Sequence, residues 1–164
     1  MKIPVFVSAP TKLNTSQETI RTLILEELDK LQLEPRTLGK SDYPTQFPLR
    51  EVDTMVRHCS GGVVLGFEHF RADSGSWVSN GKNIKDSISL PTPWNHLEAG
   101  ILFSHRLPLL VFRESEVRGG VFDTGVTDVF LQAMPTLPLC TKSQNDLTSV
   151  FLKWQAEVRT HYYS

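Results

Sequence analysis

The stretch Val63-Val64-Leu65-Gly66-Phe67 decides the fold. It carries no polar alternation, so a strand built from it is covered on both faces, as in a parallel sheet with helices above and below. Immediately before it, Cys59-Ser60-Gly61-Gly62 ends a short helix. That helix opens at Pro48, a residue suited to a first helical position, and Leu49, Val52 and Val56 line one of its faces. Two more runs of the same buried type stand further out. One is Lys2 to Ser8 (KIPVFVS), closed by Ala9-Pro10, and the other is Leu107 to Phe112 (LPLLVF).

Helices fill the spaces between these strands. Thr15-Ser16-Gln17-Glu18 has capping-box spacing, and Ile20, Leu23, Ile24, Leu28 and Leu31 follow at helical intervals. Leu33 to Leu38 reads as a second strand, and Pro35 assigns it to a sheet edge. Residues 39–47 read as a loop. Thr92-Pro93 is an N-cap and first-turn pair, opening a helix from Trp94 to about His105. Asp128 to Leu131 reads as a short last strand. A C-terminal helix is expected from about residue 145, capped by Asn145 or Asp146, with Leu147, Val150, Phe151, Trp154 and Val158 on its apolar face. A polar, glycine-rich segment at about 68–91 is long for a structureless loop, and loops of that length serve as lids, binding loops or mobile arms.

This succession predicts a flavodoxin-like, doubly wound α/β sandwich with a five-stranded, mostly parallel sheet, in one domain spanning residues 1–164. Ligands in such sheets bind outside the carboxyl ends of the strands, where the strand order reverses. That rule points to Ser8 to Thr11, Gly66 to His69, Arg113 onward, and the start of the helix at Trp94.

Composition narrows the chemistry. Lys and Arg number 17 against 18 Asp and Glu, for a net charge of -1, so the chain lacks the basic footprint of a nucleic-acid or anionic-membrane partner. No run reaches the roughly 18 to 20 apolar residues that span a bilayer, and Ile3 to Ala9 is too short for a secretion signal. With only Cys59 and Cys140, no disulfide framework is available, and a cytoplasmic location is expected. Cys59, closing a helix before a buried strand, reads as a small hydrophobe rather than a nucleophile. No G-x-G-x-x-G, P-loop or G-x-S-x-G pattern occurs. The histidines at 58, 69, 96, 105 and 161 show no metal-ligand spacing, so neither metal nor cofactor is expected. A carboxylate is the catalyst that remains.

Thr92 to Phe103 (TPWNHLEAGILF) carries that carboxylate. On a helix, Trp94, Asn95, Glu98 and Leu102 share one face, and Ala99 and Gly100 carry little bulk, which lets the helix approach the sheet or a neighbour closely. Glu98 so placed can bind ribose hydroxyls or stabilise an oxocarbenium-like centre; the alternative is a solvated acid, unpaired or paired with Arg106. Other candidates have two readings each. Ser8 offers a hydroxyl to a base or phosphate, or is a turn residue. Phe67 stacks on a purine, or fills the core. Arg50 meets a phosphate, or is surface charge. Asp53 orients the ligand or Glu98, or is a helix-face acid. Asp123, in a loop with Gly119 and Gly120, binds a sugar hydroxyl or completes a turn.

Over roughly residues 3 to 134 the chain resembles the nucleoside deoxyribosyltransferase-like and TIR-like superfamily. The similarity rests on Val5-Phe-Val-Ser-Ala-Pro10 at the first strand, Asp53 in the second helix, and Trp94-Asn-His-Leu-Glu98-Ala-Gly100. The acidic residue and Gly-Thr usual before the transferase glutamate are absent. The resemblance implies a flavodoxin-like fold and a hydrolase or transferase acting on the N-glycosidic bond of a nucleotide, nucleoside or NAD. Glu98 would be the catalytic residue, with Ser8, Pro10, Arg50, Asp53, Phe67, Trp94, Asn95 and Asp123 around the substrate. NAD enters as a candidate substrate. The alternative is a non-catalytic nucleotide-binding sensor or TIR-like adaptor. A homo-oligomer is expected, since relatives complete their sites with a neighbouring subunit and Trp77, Tyr162 and Tyr163 stand at expected exposed positions.

Overall fold

The structure, a computed structural model, describes residues 1–38, 47–126 and 130–164. Five parallel strands form the sheet: β1 (Ile3–Ser8), β2 (Leu33–Arg36), β3 (Gly62–Gly66), β6 (Leu109–Arg113) and β7 (Phe130–Ala133), in the order β2-β1-β3-β6-β7. Helices α1 (Thr15–Lys30), α2 (Pro48–Arg57), α3 (Pro93–Ser104) and α4 (Thr141–Tyr163) complete a flavodoxin-like α/β sandwich. Between β3 and α3 stands an antiparallel pair, β4 (Phe70–Ala72) and β5 (Ile88–Leu90). The expected loop over 39–46 and the expected strand start at Asp128 lie outside the described residues.

The period-two alternation of the strands sorts the core into two layers. Val5, Val7, Val63, Leu65, Leu110 and Phe112 point to one face, where Ile24 and Leu28 of α1 and Phe151 and Trp154 of α4 cover them. Phe6, Val64, Leu109 and Val111 point to the other, against Val52 and Val56 of α2 and Ala99 and Leu102 of α3. After β2 the chain crosses back over β1 to reach β3, so the strand order reverses between β1 and β3. The carboxyl ends of those two strands define the switch point.

Several expected details are corrected. The capping box of α1 sits one residue earlier than read: Asn14 Oδ1 accepts from the Gln17 amide at 2.9 Å and Gln17 Oε1 accepts from the Asn14 amide at 3.2 Å. Helix α4 begins at Thr141, with Cys140 as its N-cap, and runs through Tyr162 and Tyr163. Gly100 faces outward, and a Cβ at that position would meet nothing within 4 Å, so it is not what lets α3 approach the sheet. That allowance comes from Gly62 of β3, where a Cβ would lie 2.6 Å from a Leu102 methyl.

The segment at 68–91 is not structureless. Beyond the β4–β5 stem, Ile84 N donates to Gly75 O at 2.9 Å and Trp77 N to Lys82 O at 2.8 Å, and Gly81 turns the tip with a positive φ of 66°. Trp77 is 54% exposed and Val78 fully exposed, so the tip stands clear of the core. A polar knot holds the root. The Glu68 carboxylate accepts from Ser89 and Arg71, the Glu68 amide donates to the Glu114 carboxylate, and Gln17 Nε2 reaches Glu68 O at 3.1 Å. Bonding to Ser89 and then to Arg71 holds the Glu68 carboxyl below its ordinary range.

Candidate active site

Ser8 is the last residue of β1 and follows Phe6 by two, so it faces the α2/α3 layer. Thr92 caps α3 by accepting from the Trp94 amide at 3.4 Å, and Pro93 fixes the first turn. The helix therefore starts beside the end of β1, and its first two turns set Asn95 and Glu98 against Ser8. Asn95 is wholly buried, and its Nδ2 donates to Ser8 Oγ at 2.8 Å. Among the described residues, Asn95 Oδ1 has no hydrogen-bond partner.

A cavity of about 360 Å³, within the usual range of roughly 300–1,000 Å³ for small-molecule pockets, has Glu98 in its wall. Ala9, Pro10, Thr11 and Lys12, which follow β1, make one wall, and Pro48 and Val52 of α2 make another. His69 contributes from the root of the arm, Leu38 from beyond β2, and Thr92, Trp94 and Glu98 from α3. The cavity thus lies at the carboxyl ends of β1 and β3, where the strand order turns.

Glu98 is 9% exposed, and burial pushes its carboxyl up from 4.5 to about 7. The Ser8 side chain opposes that rise with a weaker hydrogen-bonding interaction that favours the ionised form. Among the described residues no charged neighbour contributes. Arg106, the alternative partner read from sequence, lies past the C-terminal end of α3 and forms no bond with it. Glu98 is therefore a desolvated acid without a counter-ion among the described residues.

The structure places Pro10, Trp94 and Glu98 in the cavity wall, bonds Ser8 to Asn95 in the buried layer outside that lining, and places four other candidates elsewhere. Phe67 is completely buried among the residues under α1 and α4, because it continues the parity of Val63 and Leu65. Its ring fills the core and does not line the cavity. Asp53 sits at the far end of α3, where its carboxylate bonds His105 Nε2 at 2.8 Å and Arg57 Nη2 at 2.8 Å. Arg50 is exposed, with its guanidinium 4.9 Å from the centre of the Phe47 ring. Asp123 accepts from the Gly119 amide at 2.9 Å, the turn reading of that residue. Arg113 onward does not reach the cavity either, since Glu114 belongs to the knot at the root of the arm. Of the other lining residues, the sequence marks Thr92 only as a helix cap and Val52 only as part of an apolar helix face, and it does not mark Lys12. Position alone could have found Lys12, just past the end of β1. Among the described residues no cluster of His, Cys, Asp and Glu could hold a metal ion, and no helix is long and apolar enough to cross a membrane.

No family model and no curated protein sequence matches the chain. Among solved structures it is similar to the CMP N-glycosidase BcmB of Clostridium botulinum, with a TM-score of 0.52, 13% identity, and coverage of 91% of this chain and 98% of that one. It is equally similar, at a TM-score of 0.52 and 6% identity, to the metal-soaked flavodiiron core of Flv1 from Synechocystis sp., covering 98% of this chain and 36% of that one. Likeness at these identities is one of fold, and the two neighbours carry different chemistry. Function must be argued from the site.

Proposed function

We propose that the protein cleaves or transfers the N-glycosidic bond of a nucleoside or nucleotide, with Glu98 as the group that meets the anomeric carbon. The observation that carries this reading is a buried carboxyl, without a counter-ion among the described residues, lining a cavity at the switch point of the sheet. In the free protein, ionised Glu98 is destabilised by its surroundings, which is why its pKa is raised. A positive charge developing on a sugar ring beside it removes that penalty. The interaction is stronger in the transition state than in the ground state, which is the condition for catalysis.

In the reaction the bond between the anomeric carbon and the base nitrogen breaks, and its electron pair leaves with the base, which takes a proton from solvent. The cationic sugar carbon is held as an ion pair with Glu98 or captured as an ester. Water then adds at that carbon in a hydrolase, and a second base in a transferase, as in carboxylate-assisted glycoside chemistry. Trp94, partly exposed at the cavity wall, offers a face for the base. Lys12 and His69 line the same cavity and suit an anionic group on the substrate. The fold likeness to a CMP N-glycosidase supports the reading at the level of architecture.

The test is incubation with nucleosides, nucleoside monophosphates and NAD, followed by chromatography of the released base. Release by the native protein and its loss in Glu98→Gln, with binding kept, is the expected result. Binding without release from any member of the panel would sink the enzyme reading and leave a nucleotide-binding module.

A further inference from the structure

Gln17 stands on the first turn of α1 and is 7% exposed. Its Oε1 accepts from the Asn14 amide at 3.2 Å, which completes the capping box. Its Nε2 has two protons to give. One goes to Glu68 O at 3.1 Å, and the other to the Glu114 carboxylate, with Oε2 at 3.2 Å. A flipped amide would set its oxygen against both of those acceptors, so the network fixes its orientation. We propose that Gln17 is a positioning residue for the cavity: it locks the peptide that presents His69, and with it the direction in which the His69 side chain leaves the backbone.

The residue type is the first support. A capping box accepts glutamate at this position as readily as glutamine, and the helix dipole favours a negative charge there. A glutamate would set that charge against the Glu68 carbonyl and the Glu114 carboxylate. Helix α1 alone therefore does not call for an amide, but the two acceptors outside it do. The second support is where the held peptide leads. Glu68 O and His69 N belong to one peptide unit. Its oxygen is taken by Gln17, and its N–H donates to Leu90 O at 2.9 Å. On the other side of Glu68, the Glu68 amide donates to the Glu114 carboxylate, and Glu114 N donates to Gly66 O at 3.0 Å. A planar peptide pinned at both its oxygen and its nitrogen cannot swivel, so the backbone sets the Cα–Cβ direction of His69. His69 lines the cavity and Gln17 does not. A latch on α1, which covers one face of the sheet, thus holds a wall of the cavity bordered by α2 and α3 on the other.

The bearing of this latch on a substrate rests on the nucleotide reading of the cavity, but the latch is tested first without one. Gln17→Glu keeps the cap and turns the contact with both acceptors repulsive. In hydrogen exchange read by NMR, the His69 amide should exchange at least ~10-fold faster, the scale of a lost buried hydrogen bond. The amides of Ile24 and Leu28 in α1 should keep their protection. Gln17→Met removes the donor without adding charge; it should act in the same direction, and it serves alone if Gln17→Glu does not fold. An unchanged His69 amide overturns the proposal. Calorimetric titration with AMP and adenosine then reads the consequence at the cavity. Gln17→Glu should weaken AMP binding about tenfold and adenosine binding by less than about twofold. In a His69→Ala background it should weaken AMP no further, because the latch has nothing left to present. Unchanged AMP binding, equal weakening of both ligands, or a further loss in the His69→Ala background overturns the proposal. If the native protein binds neither ligand, the nucleotide reading fails, and the exchange result still decides whether Gln17 holds His69.

Discussion

Two carboxylates in the α2/α3 layer, Glu98 and Asp53, are pushed in opposite directions by their surroundings. Glu98 sits toward the end of α3 that meets the sheet's carboxyl edge, buried and without a cation among the described residues, and is raised to about 7. Asp53 faces the other end of the same helix, partly open to solvent, and its bonds to His105 and then Arg57 hold it below its ordinary value. The second acid is a clamp: it ties α2 to the C-terminal cap of α3, and its charge is already answered. The first keeps its charge unanswered at a cavity wall. An acid that lacks a partner in the free protein is the one able to gain from a cation formed during a reaction.

The sharpest way to break this contrast is to remove each carboxylate in turn. Glu98→Gln should lower base release by at least ~10³-fold, the scale of losing a preorganised charge in a dry site, with the far-UV circular dichroism unchanged. Asp53→Asn should leave turnover within about twofold. Equal losses from both variants would erase the distinction. In the native protein the rate should climb as pH rises through about 7 and level off above it, because the ionised form of Glu98 is the active one.

A second prediction concerns stability. The folded pKa of Glu98 is raised above its unfolded value of 4.5, so its favourable contribution is complete below 4.5 and is lost as pH rises through about 7. Glu98→Gln removes that loss. In chemical denaturation at pH 8 the variant should be more stable than the native protein by on the order of 3 kcal/mol, an advantage that disappears near pH 4. A variant less stable at pH 8 would contradict the burial of an unpaired charge.

Smaller effects sharpen the comparison further. Gly62→Ala would press a methyl group to within 2.6 Å of Leu102 and push α3 away from the sheet. It should cost about 1–3 kcal/mol and let the Glu98 midpoint fall from about 7 toward 4.5 as water enters. The smallest effect belongs to the exposed clamp. Asp53 is lowered from 3.8, so its contribution is present above that pH and is lost as pH falls through the lower folded value. Asp53→Asn should lower Tm by only a few degrees at pH 7, and by progressively less as the pH falls below 3.8.

The layer order was legible in the sequence because Val63 to Phe67, Leu107 to Phe112 and Ile3 to Val7 are apolar at both parities, which only a doubly covered strand requires. Glu98 was legible because the Thr92-Pro93 cap sets the phase of its helix. Parity also explains why Phe67 lies away from the cavity. Ser8 shares a face with Phe6 and points at α3, whereas Phe67 shares one with Leu65 and points at α1 and α4. Knowing that α3 covers the Val64 side would have separated them, and nothing local to either residue says so. Asp53 and His105 are 52 residues apart, so their pairing exists only once α2 and α3 are packed. The early start of α4 was hidden by a cysteine cap and a polar first turn from Thr141 to Gln144, which carries no apolar period. The β4–β5 pair was hidden because Phe70 and Leu90 are exposed and its strands are three residues each, too short for an alternation to register.

The way the arm is rooted separates its length from the geometry of the cavity. His69 N donates to Leu90 O at 2.9 Å, and Ala72 pairs with Ile88, so the chain leaving β3 and the chain entering α3 are already side by side before the tip begins. Everything from 73 to 87 is an excursion from that closed gate. A two-residue turn could join Ala72 to Ile88 with the antiparallel register intact, leaving His69, Thr92 and Glu98 where they stand. Longer or unrelated inserts could be spliced at the same point, as at other exposed loop tips. The arm is thus a modular appendage, free to change its size and sequence without moving the carboxylate below.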